Sequence, residues 1–123
     1  MNIAILSIGS NIDPDSNISE MLVLLAQQVT IVKVSPLVRT QPIGIVNQAD
    51  FTNGAVKIET SLGVEELNRL LKSIEDQLGR DRSLPKFGPR TIDIDIVVWN
   101  NKIIDNDYYT RDFLKTSVDF LND

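Results

Sequence analysis

The stretch FGPRTIDIDIVVWNN, residues 87–101, decides the fold of this chain. Branched apolar side chains recur in it at every second position: Ile92, Ile94, Ile96 and Val98. This alternation predicts a strand with one buried face. The other face carries Asp93 and Asp95, whose Cα atoms lie about 7 Å apart at a rise of ~3.3 Å per residue. The segment therefore combines a core strand with two acids on a single face.

The acid pair has two interpretations. Two carboxylates at this spacing repel each other, and a cation between them relieves the repulsion while accepting the hard oxygen ligands. Such a pair suits one or two Mg²⁺ ions that hold a polyphosphate, since paired metals lie roughly 3.5–4 Å apart in phosphoryl-transfer sites. Alternatively, the polar face of the sheet is solvated and the acids are ordinary surface residues.

The loop before this strand is basic, although the chain as a whole has a formal net charge of −5. Four cationic residues fall within eleven positions: Arg80, Arg82, Lys86 and Arg90. Arginine binds phosphate bidentately, so the loop favours an anion site beside the acids. Simple pairing of Arg80 and Arg82 with Asp81 and Glu75 is the alternative.

A third group of residues, Phe51, Asn53 and Phe87, combines aromatic rings with an amide. Aromatic stacking fixes the plane of a ligand and an amide distinguishes donors from acceptors at its edge, so this set suits a planar heterocycle. Packing in the core, with a turn-side amide, is the alternative.

Composition limits the chemistry. The chain has no cysteine and no histidine, which excludes disulfides, thiolate metal sites and an imidazole base. Carboxylates, arginines, lysines, amides, hydroxyls and a bound metal remain. The acidic balance, with a pI near 4.6, argues against a nucleic-acid partner and an anionic membrane surface, because both attract basic patches.

The length of 123 residues predicts one domain over residues 1–123. The N-terminus lacks a basic region before its apolar run, and no stretch approaches the ~18–20 apolar residues that span a bilayer. We therefore expect a cytoplasmic location.

The order of elements predicts an α+β fold. Strand, helix, strand, strand, helix and strand follow in turn, with a short C-terminal helix, so we expect a two-layer ferredoxin-like sandwich: βαββαβ with a mostly antiparallel four-stranded sheet. Pro36 predicts an edge position or a bulge for the second strand. Thr60 or Ser61 is expected to cap the second helix and Gly79 to end it.

Five segments together resemble the 6-hydroxymethyl-7,8-dihydropterin pyrophosphokinase family. They are SIGSN (residues 7–11), RTQPIG (39–44), DFTNGAV (50–56), IEDQLGRDR (74–82) and FGPRTIDIDIVVW (87–99). Their order covers residues 2–104, and the last motif is the most specific.

The resemblance implies a 2-amino-4-hydroxy-6-hydroxymethyldihydropteridine diphosphokinase of folate biosynthesis. This enzyme transfers pyrophosphate from ATP to the hydroxymethyl oxygen of the pterin and releases AMP. Its implied partners are therefore the pterin and ATP. Two Mg²⁺ ions would be held by Asp93 and Asp95, and catalysis would be assisted by Arg80, Arg82 and Arg90.

The resemblance also implies two binding surfaces. The nucleotide side would include Glu75, Arg80, Arg90, Ile96 and Thr110. The pterin slot would include Thr40, Pro42, Ile43, Phe51, Asn53 and Phe87.

The C-terminal region departs from the family pattern. Members usually carry a His-Pro segment and an arginine-aromatic segment here, whereas Phe113 sits near the expected histidine, and Thr110 or Arg111 would supply part of the later arginine's role. A shortened paralogue that binds nucleotide or pterin with little or no transfer is therefore the alternative function. Another two-metal nucleotidyl-transfer domain is a third candidate, but it gives no role to Phe51, Asn53 and Phe87.

Overall fold

A computed structural model describes residues 1–44, 47–84 and 88–122. Its strands are β1 (Asn2–Ser10), β2 (Thr30–Val34), β3 (Val38–Thr40), β4 (Phe51–Thr60), β5 (Asp93–Trp99) and β6 (Lys102–Ile103). Its helices are α1 (Pro14–Ala26), α2 (Val64–Gln77), α3 (Asp107–Thr110) and α4 (Asp112–Leu121). None of the helices in these described ranges is long and apolar enough to cross a membrane.

The strands form one sheet in the order β2-β4-β1-β5-β6, with β3 also paired to β4. The pairings are antiparallel. β1 lies at the centre, and its alternate residues are buried on both faces of the sheet. This central strand therefore joins two cores. The α+β class with an antiparallel sheet is confirmed.

Within the described residues the sheet has six strands, so the expected count of four is wrong. Pro36 has no N–H to donate to a ladder, and the predicted second strand is divided around it into β2 and β3. The sixth strand arises because Asn100 and Asn101 adopt positive φ angles of 47° and 69°. Asparagine tolerates this conformation, which suits a two-residue hairpin turn between β5 and β6. Both added strands are short.

Helices cover both faces of the sheet, so the expectation of two layers is also wrong. On one face, α1 and α2 bury side chains such as Met21 and Leu71 against the sheet. On the other face, α4 buries its own apolar stripe, Leu114, Val118 and Leu121, against Ile5, Ala55, Val97 and Val98. An amphipathic helix needs an apolar surface to cover this stripe, and the second face of the sheet supplies one.

A bulge in β5 corrects the predicted facing of Val98. Leu6 pairs with Ile96, but the next residue of β1, Ile5, pairs with Val98, so Val97 is the extra residue. An extra residue reverses the alternation beyond it. Val98 therefore lies on the α4 face, whereas Ile92, Ile94 and Ile96 belong to the α1 and α2 core.

The ends of α2 agree with the sequence at one end and differ at the other. Gly79 follows α2 with a φ of 86°. The N-cap of α2 is Gly63, not Thr60 or Ser61. Glu66 explains the shift, because its Oε1 atom accepts a hydrogen bond of 3.2 Å from the Gly63 N–H.

Candidate functional site

One cavity, called the main cavity below because most of the predicted site residues line it, lies on the α4 face of the sheet and has a volume of about 310 Å³. The floor comes from β1 and β5, one side from β4 and the loop after β3, and the other side from α3 and α4. Cationic, acidic and aromatic side chains all line it. Because the neighbouring strands β4, β1 and β5 all contribute to this cavity, residues that are far apart in the sequence are brought together.

The first acid of the pair is already matched by arginines. Oδ2 of Asp93 accepts a hydrogen bond of 3.0 Å from Nη1 of Arg90, and Oδ1 lies 3.4 Å from Nη1 of Arg80. Both arginine side chains are mostly shielded from solvent, so water screens these pairs less than it would at the surface. The structure therefore brings three of the predicted site residues into one cluster.

The second acid is less well compensated. The side chain of Asp95 is 44% exposed, and its paired cation is Lys72, whose Nζ lies 3.9 Å from Oδ1. Partial burial raises the pKa of Asp95 to about 6, and the charge of Asp93 adds to this effect while Lys72 opposes it. The ligand-free cavity thus holds a carboxylate that gains from an additional cation.

Glu75 is an internal counter-ion rather than part of the cavity wall. Its side chain is fully buried, and its Oε2 accepts a hydrogen bond of 2.8 Å from the Ile94 N–H. Its Oε1 lies 3.2 Å from Arg82, 3.3 Å from Arg80 and 3.6 Å from Lys72. This carboxylate gathers three cations beside the acid pair.

Arg82 and Thr110 lie outside the wall of the main cavity, as far as the described residues define it. Arg82 instead contacts Glu75 and Asp76, with its Nη2 atom 2.9 Å from Asp76 Oδ1. Thr110 is exposed. The next residue, Arg111, does line the cavity, as does Asp107. Nη1 of Arg111 lies 3.6 Å from Oδ2 of Asp107.

Ile96 borders a second, shallower concavity on the far side of Asp95. Side chains from the start of α2 and from the segment after β6 complete it, including Val64, Ile104 and Asp105. Asp95 borders both concavities, so a ligand that spans them would pass the acid pair.

Four of the six residues predicted for the heterocycle share the main cavity: Thr40, Ile43, Phe51 and Asn53. Pro42 lies in the same loop but not in the wall, and Phe87 lies outside the described residues. Asn53 Nδ2 donates a hydrogen bond to Thr40 Oγ1. A Cβ atom on Gly9 would lie 2.8 Å from Asn53 Oδ1, so the amide rests directly against a glycine.

Lys72 and Asp107 also line the cavity, although neither had a predicted role in the site. Lys72 precedes Glu75 by three positions on α2, and this spacing places two side chains on one helix face. That signal was present in the sequence. Asp107 had no comparable signal, because the position of α3 depends on how α3 and α4 pack on the sheet.

The acid pair offers oxygen ligands to a hard cation. No group of three or more acidic residues forms a metal site within the described ranges. Two carboxylates at the wall of a cavity would leave the remaining positions to water and to ligand oxygens, as Mg²⁺ prefers. The donor set therefore fits a cation that is shared with a phosphate ligand.

Comparison with known proteins assigns the chain to a family. The family model described as 7,8-dihydro-6-hydroxymethylpterin-pyrophosphokinase (HPPK) matches residues 5–121. The chain belongs to the HPPK family. The match includes β5 with its acid pair, the arginines before it and the residues of β4 that line the cavity.

Individual relatives agree with the HPPK assignment. The chain is 43% identical over 109 residues to the 2-amino-4-hydroxy-6-hydroxymethyldihydropteridine pyrophosphokinase of Bacillus subtilis, which covers 86% of the chain. It is 34% identical over 110 residues to the Haemophilus influenzae protein of the same name, covering 87% of the chain. The Schizosaccharomyces pombe folic acid synthesis protein fol1 is 39% identical over 111 residues, 88% of the chain. The chain spans 65%, 68% and 15% of the lengths of these three relatives, respectively.

Proposed function

We propose that this chain catalyses the Mg²⁺-dependent transfer of pyrophosphate from ATP to 6-hydroxymethyl-7,8-dihydropterin, with release of AMP. One observation carries the proposal. The acid pair, two shielded arginines and the Phe51–Asn53 surface open into the same cavity. The family membership supplies the identity of the two substrates.

The acceptor side rests on Phe51 and Asn53. The Phe51 ring offers a face for stacking a planar pterin, and the Asn53 amide offers a carbonyl and an N–H₂ group to its edge. The hydrogen bond to Thr40 and the contact with Gly9 restrict the amide to one orientation. The acceptor is proposed to bind here with its hydroxymethyl group toward β5. Phe87 remains a predicted second stacking ring.

The phosphate side rests on Arg80 and Arg90. Both arginines pair with Asp93 in the absence of phosphate. Phosphate oxygens can accept hydrogen bonds from the same guanidinium groups, so the arginines can balance the charge of the transferred group. Asp93 is then freed for another cation. Arg82 is proposed to assist from the loop after α2, leaving its partners Glu75 and Asp76.

Asp93 and Asp95 are the residues that would hold two Mg²⁺ ions. Bound there, the ions would neutralise the phosphate oxygens and orient the chain of phosphates. The raised pKa of Asp95 supports this role, because its carboxylate is destabilised until a cation compensates it.

The nucleotide base is proposed to occupy the concavity that Ile96 borders. Asp95 borders both this concavity and the main cavity. ATP would thus extend across the acid pair, with its terminal phosphates toward Arg80 and Arg90. Arg111, which lines the main cavity, is proposed to contact the phosphates in the role that the resemblance offered to Thr110 or Arg111.

Transfer requires positioning more than a protein nucleophile. The hydroxymethyl oxygen forms a bond to the β-phosphorus, and the bond from that phosphorus to the α,β-bridging oxygen breaks. The leaving oxygen of AMP keeps the bonding pair, and the hydroxyl proton passes to solvent water. The absence of histidine and cysteine from the sequence is compatible with this chemistry.

The order β2-β4-β1-β5, with α1 and α2 on one face, also supports a ferredoxin-like βαββαβ core within the larger sheet. The single domain and the cytoplasmic location stay predictions from the sequence.

Calorimetry combined with product analysis tests the function against its alternative. The purified chain is titrated with the reduced hydroxymethylpterin and with an unreactive ATP analogue plus Mg²⁺, and AMP is then measured with ATP itself. Binding of both ligands with AMP formation supports the transferase. Binding without AMP would identify the paralogue without transfer, and no binding of either ligand would contradict both.

A further inference from the structure

The SIGSN turn at the end of β1 contains a buried polar residue that the reaction does not use directly. Asn11 is 8% exposed and follows the last residue of the strand. Its Nδ2 atom donates hydrogen bonds to Gln48 Oε1 at 2.8 Å and to the Ala49 carbonyl at 3.1 Å. Its Oδ1 atom accepts one from the Arg90 N–H at 2.8 Å. One side chain thus joins segment 47–50 to Arg90.

The backbone of Asn11 strengthens the second of these links. Its N–H donates to the Arg90 carbonyl at 3.1 Å. Both backbone groups of Arg90 are therefore fixed by Asn11, and the Arg90 side chain reaches Asp93 from that fixed origin. The backbone of Arg90, although it belongs to an irregular loop, is therefore held in one position beside the acid pair.

The link to segment 47–50 reaches the acceptor side. This segment leads directly into β4, which begins with Phe51. The side-chain amide of Asn11 can join segment 47–50 to Arg90, because it offers donors on one side and an acceptor on the other. Aspartate would keep only the acceptor, and alanine would keep neither.

We infer that Asn11 is a positioning residue that holds Arg90 and the entry to β4 at a fixed separation. The inference rests on the proposed function, because it assigns Arg90 to the phosphates and Phe51 to the pterin. Asn11 touches neither substrate in this account. It sets the spacing between the groups that do.

Asn17, in the first turn of α1, provides a matched control. Its Nδ2 atom donates to the Ile12 carbonyl, so it also stabilises the start of α1. This side-chain hydrogen bond reaches neither segment 47–50 nor Arg90. Asn17→Ala therefore removes a local amide without disturbing the spacing.

The test compares Asn11→Ala, Asn11→Asp and Asn17→Ala in the full chain. Calorimetry gives the affinity for 6-hydroxymethyl-7,8-dihydropterin and for an ATP analogue with a methylene bridge between the α- and β-phosphorus atoms, in the presence of Mg²⁺. Hydrogen exchange followed by NMR gives the protection of the Arg90 amide without any ligand. Thermal unfolding gives the melting temperature of each variant.

Asn11→Ala is expected to weaken both ligands by about tenfold, the scale of a lost buried hydrogen bond. It should also accelerate exchange at Arg90. Asn11→Asp should preserve the Arg90 protection and weaken mainly the pterin, because the two donations toward segment 47–50 are lost. Asn17→Ala should change neither affinity. If Asn11→Ala does not fold, the Asn11→Asp result carries the comparison.

Two results would overturn the inference: unchanged Arg90 exchange in Asn11→Ala, or both affinities within twofold of wild type although the melting temperature falls. Failure of the proposed function looks different. In that case the wild-type chain itself binds neither ligand, while the exchange measurement on the ligand-free protein still reports whether Asn11 fixes Arg90.

Discussion

Nζ of Lys72 lies 3.9 Å from Oδ1 of Asp95, and this pair joins α2 to the acid face of β5. The lysine is shared, because it also lies 3.6 Å from the buried Glu75. A cation divided between two acids compensates each only in part. This explains why the pKa of Asp95 is still raised to about 6, chiefly by burial and the charge of Asp93.

Replacing Lys72 tests this relationship. Lys72 lowers the pKa of Asp95, so Lys72→Met should move that pKa further upward from about 6. Carboxyl-carbon NMR titration of the ligand-free protein measures the shift. Lys102→Met, on the exposed edge strand β6, is the control and should leave Asp95 unchanged. An unchanged or lower pKa in Lys72→Met would refute the pairing.

Asp95→Asn should stabilise the ligand-free protein at pH 7. The folded-state pKa of about 6 lies above the ordinary aspartate value of 3.8, so the folded state favours the protonated acid. Stability from this group is therefore present below pH 4 and is lost as the pH rises through 6. We expect a gain of about 1 kcal/mol, discounted because the side chain is partly exposed.

Urea unfolding at pH 4 and pH 7 checks this sign. The free energy of unfolding should be higher in Asp95→Asn than in wild type at pH 7, and the two should be nearly equal at pH 4. The same variant should bind Mg²⁺ more weakly, so that saturating Mg²⁺ and nucleotide reverses the order of stability. A destabilised variant at pH 7 without ligand would show that Asp95 is not strained.

Glu75→Gln should be costly because it removes a fully buried counter-ion. Three cations, Lys72, Arg80 and Arg82, would lose their shared carboxylate, although the new amide oxygen could still accept the Ile94 N–H. Breaking one side of a buried ion cluster lowers the free energy of unfolding by about 3 kcal/mol. Denaturant unfolding of Glu75→Gln and wild type measures this loss.

Asp76→Asn is the matched control for Glu75→Gln. Asp76 lies on the same helix as Glu75 and pairs with Arg82, but the Asp76 side chain is 61% exposed. An exposed pair contributes less than about 1 kcal/mol. Equal losses in the two variants would show that the burial of Glu75 has no special effect.

Gly9→Ala should disturb the acceptor surface. The new Cβ would lie 2.8 Å from Asn53 Oδ1, so the amide must move away from its hydrogen bond with Thr40. We expect pterin affinity to fall about tenfold, the effect of losing one well-placed hydrogen bond. Fluorescence titration with the pterin measures it. Gly63→Ala is the control: its new Cβ would lie an ordinary 3.5 Å from Glu66 Oε1, and pterin affinity should not change.

The sequence predicts the acid face of β5 well, because the alternation before the bulge depends on local periodicity alone. The facing of Val98 could not be predicted in this way, since the extra residue at Val97 is defined only by pairing with β1. The same distinction applies to the helices. The apolar stripe of α2 predicts a buried face, but the burial of α4 on the opposite side depends on the whole sheet.

The site shows a similar limit. The chemistry of Asp93, Asp95, Arg80 and Arg90 is visible in their residue types and spacing. Their convergence with Phe51 and Asn53 depends on β1 lying between β4 and β5. The burial of Glu75 likewise follows from the contact of α2 with β5, where the Ile94 N–H needs an acceptor.

The most direct measurement is the identity of the products when the purified chain is incubated with ATP, Mg²⁺ and 6-hydroxymethyl-7,8-dihydropterin. Mass spectrometry should detect AMP and the pterin diphosphate in equal amounts, and both should require Mg²⁺ and disappear in an Asp93→Asn, Asp95→Asn double variant. Formation of ADP with a pterin monophosphate, or equal AMP release by the double variant, would contradict pyrophosphate transfer at the acid pair.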